Sequence, residues 1–277
     1  FSPTVDSISK IFNHVVYNEK ITVIAASGNS SLEYVAQPSL APNVVSIGSL
    51  SEDNSLSSYH SYRDPFANLP KPNLIDYDFI NIYGKFETGT SCAAPRVTSV
   101  VARLMQRNST LKSNPQLVMS LLQASAKQDF TTKHNLSFKE NGFEDRYGAG
   151  RVVYEAALSA LKLGYYSSFT ITASNSNNSI LVNKAINLTK NNPIHISLTA
   201  LVPSYTEAET WDTTVISKIK IVVKDGNSNV VKQITTNYST MYVKYTPSSS
   251  GNYTFQVILL DNKVSDVNIK YSYAYYR

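Results

Sequence analysis

The chain has one cysteine, Cys92, so no internal disulfide can form and a cysteine-based metal site is excluded. No run of 18 apolar residues occurs, so no segment reads as a membrane-spanning helix. No dense Lys/Arg cluster accompanies the formal net charge of +5, so the excess reads as a solvated surface, with no nucleic acid as partner. There is no initiating Met and no signal peptide before Phe1-Ser2-Pro3, which reads as an interior piece of a longer secreted precursor. The acidic residues of 128–146 match no calcium-loop spacing, so no cofactor is expected and a structural calcium has no motif behind it.

What remains is organised around Glu87-Thr88-Gly89-Thr90-Ser91-Cys92-Ala93-Ala94-Pro95. Gly89 permits a sharp bend. Pro95 is expected in the first turn of the helix that follows, where a missing N–H matters little. Val97, Val100, Val101 and Leu104 recur at helical spacing and predict a buried face. Ser91 then sits at a helix N-terminus, where N–H groups and the helix dipole favour negative charge. Acyl transfer needs that setting, because an oxyanion develops beside the attacking hydroxyl. Taken alone, Thr90 and Ser91 equally suit a simple helix cap.

Upstream, Ile21-Thr22-Val23-Ile24-Ala25-Ala26-Ser27-Gly28-Asn29 predicts a buried parallel strand that ends in an amide side chain. Ligands of open α/β sheets gather at such strand ends. Val44-Val45-Ser46-Ile47-Gly48 and Lys71-Pro72-Asn73-Leu74-Ile75 follow. Tyr147-Gly148-Ala149-Gly150-Arg151-Val152-Val153 closes the series. These five blocks, in this order, resemble the subtilisin-like serine proteases over roughly residues 8–163.

The resemblance implies a doubly wound, mostly parallel α/β sheet, incomplete at its N-terminus. It implies Ser91 as nucleophile and Asn29 as oxyanion donor, with Ala26, Ser27, Gly28 and Thr90 contacting the substrate. That family's chain order is Asp, His, Ser, so the base and its orienting carboxylate would precede residue 1. None of His14, His60, His134 and His195 stands in a His-Gly context. The implied partners are an N-terminal segment of the same precursor, carrying Asp and His, and a protein or peptide substrate. Arg96 and Ser99 replace the family's usual His and Gly, a departure that concerns helix packing. A degenerate relative acting as a binding or adhesin-like scaffold is the alternative.

The remaining stretches fill in the frame. Ile8, Ile11, Phe12, Val15 and Val16 predict a helix over 7–18 with one buried face, and His14 on its flank. His60, in the polar stretch 49–70, is expected to be solvated, as is the loop 128–146. Asn114 and Pro115 open a helix with Val118, Leu121, Leu122 and Ser125 inward, and a last helix covers 152–162. Cys92 is expected to be a small packing residue. From about residue 164 the apolar period changes to two, in some eight runs. These include 218–224, then a turn at Asp225-Gly226-Asn227, then 230–236, and a final run with Tyr271, Tyr273 and Tyr275 half-buried. The expected organisation is therefore residues 1–163 as the C-terminal portion of a catalytic domain and 164–277 as an antiparallel β-sandwich or jelly roll. The abundance of Asn, Lys, Ser and 19 Tyr is similar to the usage of AT-rich bacteria, mycoplasmas among them. Surface subtilases of mycoplasmas include some that cut host immunoglobulin. An extracellular or cell-surface location goes with that likeness. The Asn-x-Ser triplet at Asn29 reads as a by-product of composition, since a glycan there would block the oxyanion site.

Overall fold

The computed structural model describes residues 7–31, 34–62, 69–203 and 217–277. The Phe1-Ser2-Pro3 start, residues 32–33 and residues 63–68 of the 49–70 stretch lie outside the described residues. Helix α1 (Ser7–Asn18) precedes strand β1 (Ile24–Ala26), then β2 (Val45–Leu50) and β3 (Leu74–Tyr77). The three strands pair in parallel in the order β1-β2-β3. All six residues of β2 are buried, which is why its sequence shows no polar alternation. A hairpin of β4 (Phe79–Ile82) and β5 (Lys85–Thr88) leads into α2 (Thr90–Arg107), which crosses the sheet. A 3-10 turn, α3 (Pro115–Ala124) and α4 (Tyr154–Lys162) complete this α/β part.

Eight strands follow among the described residues: β6 (Tyr166–Ile171), β7 (Ser179–Leu188), β8 (Ile194–Ala200), β9 (Lys218–Lys224), β10 (Val230–Thr236), β11 (Thr240–Tyr245), β12 (Gly251–Asp261) and β13 (Ile269–Tyr276). They form two antiparallel four-stranded sheets, β10-β9-β12-β7 and β11-β8-β13-β6. Ile196, Tyr271 and Tyr273 from one sheet and Ile221, Phe255 and Val257 from the other share one core. Asp225 closes the predicted turn, its Oδ1 accepting from the N–H groups of Asn227 (3.0 Å) and Asn229 (2.8 Å). Tyr271, Tyr273 and Tyr275 of β13 are buried rather than half-buried, Tyr271 stacking on Phe169 with ring centroids 5.5 Å apart. Val267 falls outside that strand and stands exposed.

Four details depart from the periodicity. Helix α1 buries Ser9, Asn13 and Val16, while Ile8 (47%) and Ile11 (60%) remain exposed. The inward choice follows hydrogen bonding: Asn13 Oδ1 accepts from Asn43 N at 3.1 Å, and its Nδ2 donates to the Val202 carbonyl at 3.3 Å. Helix α3 is buried over its whole length, because the β8/β13 face packs against it as well. Asn114 sits at its N-cap position without capping it, donating instead to the Thr110 carbonyl. Pro95 is the sixth residue of α2, not a first-turn residue, so the Ser91 carbonyl loses the N–H that would meet it one turn on.

Candidate active site

The turn before α2 is fixed from two sides. Gly89 adopts φ 136°, and its N–H donates to the Asp78 carbonyl at 3.0 Å. Asp78 is buried, and its carboxylate accepts the hydroxyls of Ser57 (2.7 Å) and Tyr59. Burial and the Asp78 hydrogen bond push the Tyr59 hydroxyl up to about 12, so it stays a donor. Spacing did not single out Asp78. Its only sequence signal is a carboxylate between the aromatic Tyr77 and Phe79.

Thr90 is wholly buried and links α2 to the β1 end. Its N–H and its hydroxyl both donate to Asn29 Oδ1, at 3.0 and 2.9 Å, and its Oγ1 accepts from Gly28 N at 3.2 Å. An N–H can only donate, so the Asn29 amide is oriented by this contact: Oδ1 toward Thr90 and Nδ2 away from it. Nδ2 lies against the Gly89 turn, 3.0 Å from where a Cβ would stand on Gly89. Neither Nδ2 nor the Ser91 N–H has a hydrogen-bond acceptor among the described residues. The Ser91 N–H is one of the donors that every helix N-terminus leaves unpaired. Ser91 itself is exposed, on the second residue of α2. The structure therefore brings Ser91, Asn29, Thr90 and Gly28 together.

Ser27 is buried, its N–H donating to the Ile47 carbonyl at 2.8 Å. On the side of Gly28 where a Cβ would stand, Ser61 Oγ (3.0 Å) and Ala36 Cβ (3.2 Å) fill the space. Ala26 ends β1 half-buried. Cys92 is half-buried, and burial raises its thiol above the ordinary value, with Asp78 and Glu87 adding to the shift.

None of the four histidines hydrogen-bonds Ser91. His14 is exposed on α1, and His195 lies on β8 against the Tyr242 hydroxyl. His60 corrects the expectation of a solvated residue: it is buried, with Nε2 2.8 Å from the Arg146 carbonyl, and burial lowers its pKa to about 4. The loop 128–146 is not simply solvated either. Glu144 is buried and gathers His134 Nε2 (3.1 Å) and the N–H groups of Ser137 (3.3 Å), Arg146 (2.8 Å) and Tyr147 (3.1 Å). Four donors on one carboxylate bring the loop back against the Tyr147-Gly148 turn. Gly148 is required there, since a Cβ would stand 2.2 Å from the Asn73 carbonyl oxygen. Among the described residues no group of three or more His, Cys, Asp or Glu could hold a metal ion.

The chain belongs to the subtilase family: residues 2–150 match the profile of that family, Peptidase S8. It is 27% identical over 154 residues to the minor extracellular protease Epr of Bacillus subtilis (strain 168), over 54% of this chain and 22% of Epr. The chain thus spans 22% of the length of that relative. Among solved structures it is similar to the self-cleaved protease domain of PatA, at 21% identity and a TM-score of 0.43, covering 57% of this chain and 56% of that one. It is likewise similar to the prenylagaramide maturation protease PagA, at 21% identity and a TM-score of 0.43, covering 56% and 58%.

Proposed function

We propose that the chain carries the nucleophile and oxyanion-binding part of a serine endopeptidase. The orientation of Asn29 supports this most directly: two Thr90 donors occupy Oδ1, which leaves Nδ2 against the Gly89 turn, two residues before Ser91, as an oriented donor. In this reading Ser91 Oγ adds to the scissile carbonyl carbon and gives its proton to a histidine base. The carbonyl π pair moves to oxygen, where Asn29 Nδ2 and the Ser91 N–H receive it. Collapse of the adduct expels the amine, which takes the proton, and water then cleaves the acyl ester on Ser91. Ala26 and Gly28, half-buried, form the substrate wall beside it, while Ser27 and Thr90, expected there as well, are fully buried and support that wall from behind.

The base and its carboxylate come from an N-terminal segment of the same precursor. Two observations support a packed partner of that kind. Among the described residues β1 pairs only with β2, and Ile8 and Ile11 of α1 are exposed, as is Ile21. Residues 1–163 are then the C-terminal portion of the catalytic domain and residues 164–277 an accompanying β-sandwich. The name of Epr, an extracellular protease, supports action outside the cell on a protein substrate. Host immunoglobulin is the substrate we put forward, on the compositional likeness to mycoplasmas alone.

Fluorophosphonate labelling tests the reading, on this chain alone and combined with its N-terminal segment. Labelling of the combined sample, lost in Ser91→Ala, is the expected result. A folded complex that takes no label in either form would replace the protease with the degenerate binding scaffold.

A further inference from the structure

A groove of about 510 Å³ runs between the flank of α2, the C-terminal end of β3 and the start of α4. The proposed hydrolysis makes no use of it. Arg96, Ser99 and Arg103 line one side. At i, i+3 and i+7 of a helix they form one stripe about 10 Å long. At 100° per residue that stripe stands roughly 80–140° around α2 from Ser91. Arg151, Asp76, Tyr154 and Glu155 are among the residues lining the rest of the groove, and Glu155 lies outside ion-pair distance of every cation among the described residues, the groove arginines included.

The charges here are unevenly paired. Arg151 is clamped by Asp129, with Nε to Oδ1 at 3.1 Å and Nη2 to Oδ2 at 2.7 Å. Arg96 comes only to within 3.8 Å of Asp76, with no hydrogen bond between them. Arg103 has no carboxylate within ion-pair distance among the described residues. Its guanidinium lies 3.6 Å from the Tyr154 ring centroid, and Arg96 lies 5.8 Å from that of Tyr77. Ring contacts of this kind hold a guanidinium in place without consuming its N–H donors. Burial raises Asp76 to about 6, outweighing the attraction of Arg96 and Arg151. Its carboxylate is thus mostly ionised at pH 7 and becomes neutral below about pH 6, which removes it as a competitor for Arg96 in mild acid.

We propose that this groove binds an acidic peptide segment, whose carboxylates pair with Arg96 and Arg103. A single small anion cannot bridge a stripe about 10 Å long, whereas an extended peptide sets same-side carboxylates about 7 Å apart, within reach of two arginines. Ser99, between them, offers a hydroxyl to the peptide backbone. The groove volume lies within the range that encloses a few residues.

The experiment uses the full chain carrying Ser91→Ala, so that binding is read apart from cleavage. Fluorescence anisotropy follows a fluorescein-labelled acetyl-Glu-Ala-Glu-Ala-Glu-amide and its Gln counterpart at low salt. The Glu peptide is expected to bind, and the Gln peptide about tenfold more weakly or worse. Arg96→Gln and Arg103→Gln should each weaken binding about three- to tenfold, since both side chains are partly solvated. Ser99→Trp, which fills the groove and keeps every charge, should abolish saturable binding. Circular dichroism establishes that each variant is folded. Equal affinity for the two peptides, unchanged affinity in both arginine variants, or no binding of the Glu peptide overturns the proposal.

Discussion

The α/β part and the β part are held together by different means. In the α/β part, buried polar side chains bind backbone across long sequence distances. Asn73 Oδ1 accepts from Ser46 N at 2.7 Å, Lys71 Nζ donates to the carbonyls of Ala41 (2.7 Å) and Val44 (2.6 Å), and Glu144 gathers four donors. In the β part, stability rests on apolar and aromatic packing. Phe255 meets Tyr273 and Tyr275 edge-on at 5.6 and 5.5 Å, inside a core of Ile, Leu and Val. The difference teaches where each part is vulnerable. Loss of a polar link leaves several groups unsatisfied at once, while loss of an apolar side chain leaves a cavity.

Five changes sharpen that contrast, four read through stability and the last through turnover. Phe255→Ala should destabilise the chain by about 3–5 kcal/mol in urea unfolding, the loss expected for a large aromatic in a tight core. A value near 1 kcal/mol would mean the two sheets can close over the gap, and the contrast would fail. Acid comes next. His60 and His195 each have a folded pKa of about 4, lowered by burial from about 6.5. Unfolded chains therefore bind more protons between these values, so stability is full above pH 6.5 and falls as pH drops toward 4. Each histidine contributes on the order of 3 kcal/mol to that fall. Urea titrations at pH 7.5 and 5 should show the slope, and His60→Asn should flatten it by about half. An unchanged slope would mean His60 is not held neutral by burial.

Glu144→Gln should cost about 2 kcal/mol, since hydrogen bonds to a charged acceptor are the stronger kind. Hydrogen exchange in 134–148 should rise with it, and exchange in β12 should not. If both rise together, the two parts unfold as one unit and the contrast describes contacts only. Ser91→Ala should change stability by less than about 0.5 kcal/mol, because the side chain is exposed. It should nevertheless remove all fluorophosphonate labelling. Asn29→Ala should reduce turnover of the reconstituted enzyme by about 10²–10³-fold, the size known for such a donor in a subtilisin itself.

Much of this frame was legible in the sequence. The strand end at Ala26-Ser27-Gly28-Asn29, the turn at Gly89 and the helix behind it follow from small residues and helical spacing, and all are present. So are β9, β10 and the Asp225 turn, because alternation and turn chemistry are local signals. Less legible were features decided by distant partners. Ile8 and Ile11 carry the strongest apolar signal in α1, yet Asn13 faces inward because Asn43 and Val202 offer it hydrogen bonds. His60 stands among serines and a tyrosine, and its burial depends on the Arg146 carbonyl 86 positions away. The groove beside α2 was invisible for the same reason: Arg96 and Arg103 share a helix, but Tyr77, Tyr154 and Arg151 come from elsewhere in the chain.

Helix α3 also constrains how the two parts can change. Its Ser120 hydroxyl donates to the Ser272 carbonyl at 2.8 Å, and its Gln123 Oε1 accepts from Ser197 (2.7 Å), Thr199 (3.4 Å) and Thr240 (3.3 Å). These links join the helix to three strands of the second sheet. A different C-terminal module grafted after Lys162 would meet a helix whose outer face is already cut to fit this one. A recombinant keeping only the first part would expose the face of α3 now covered by β8 and β13 and leave Ser120 and Gln123 without these partners.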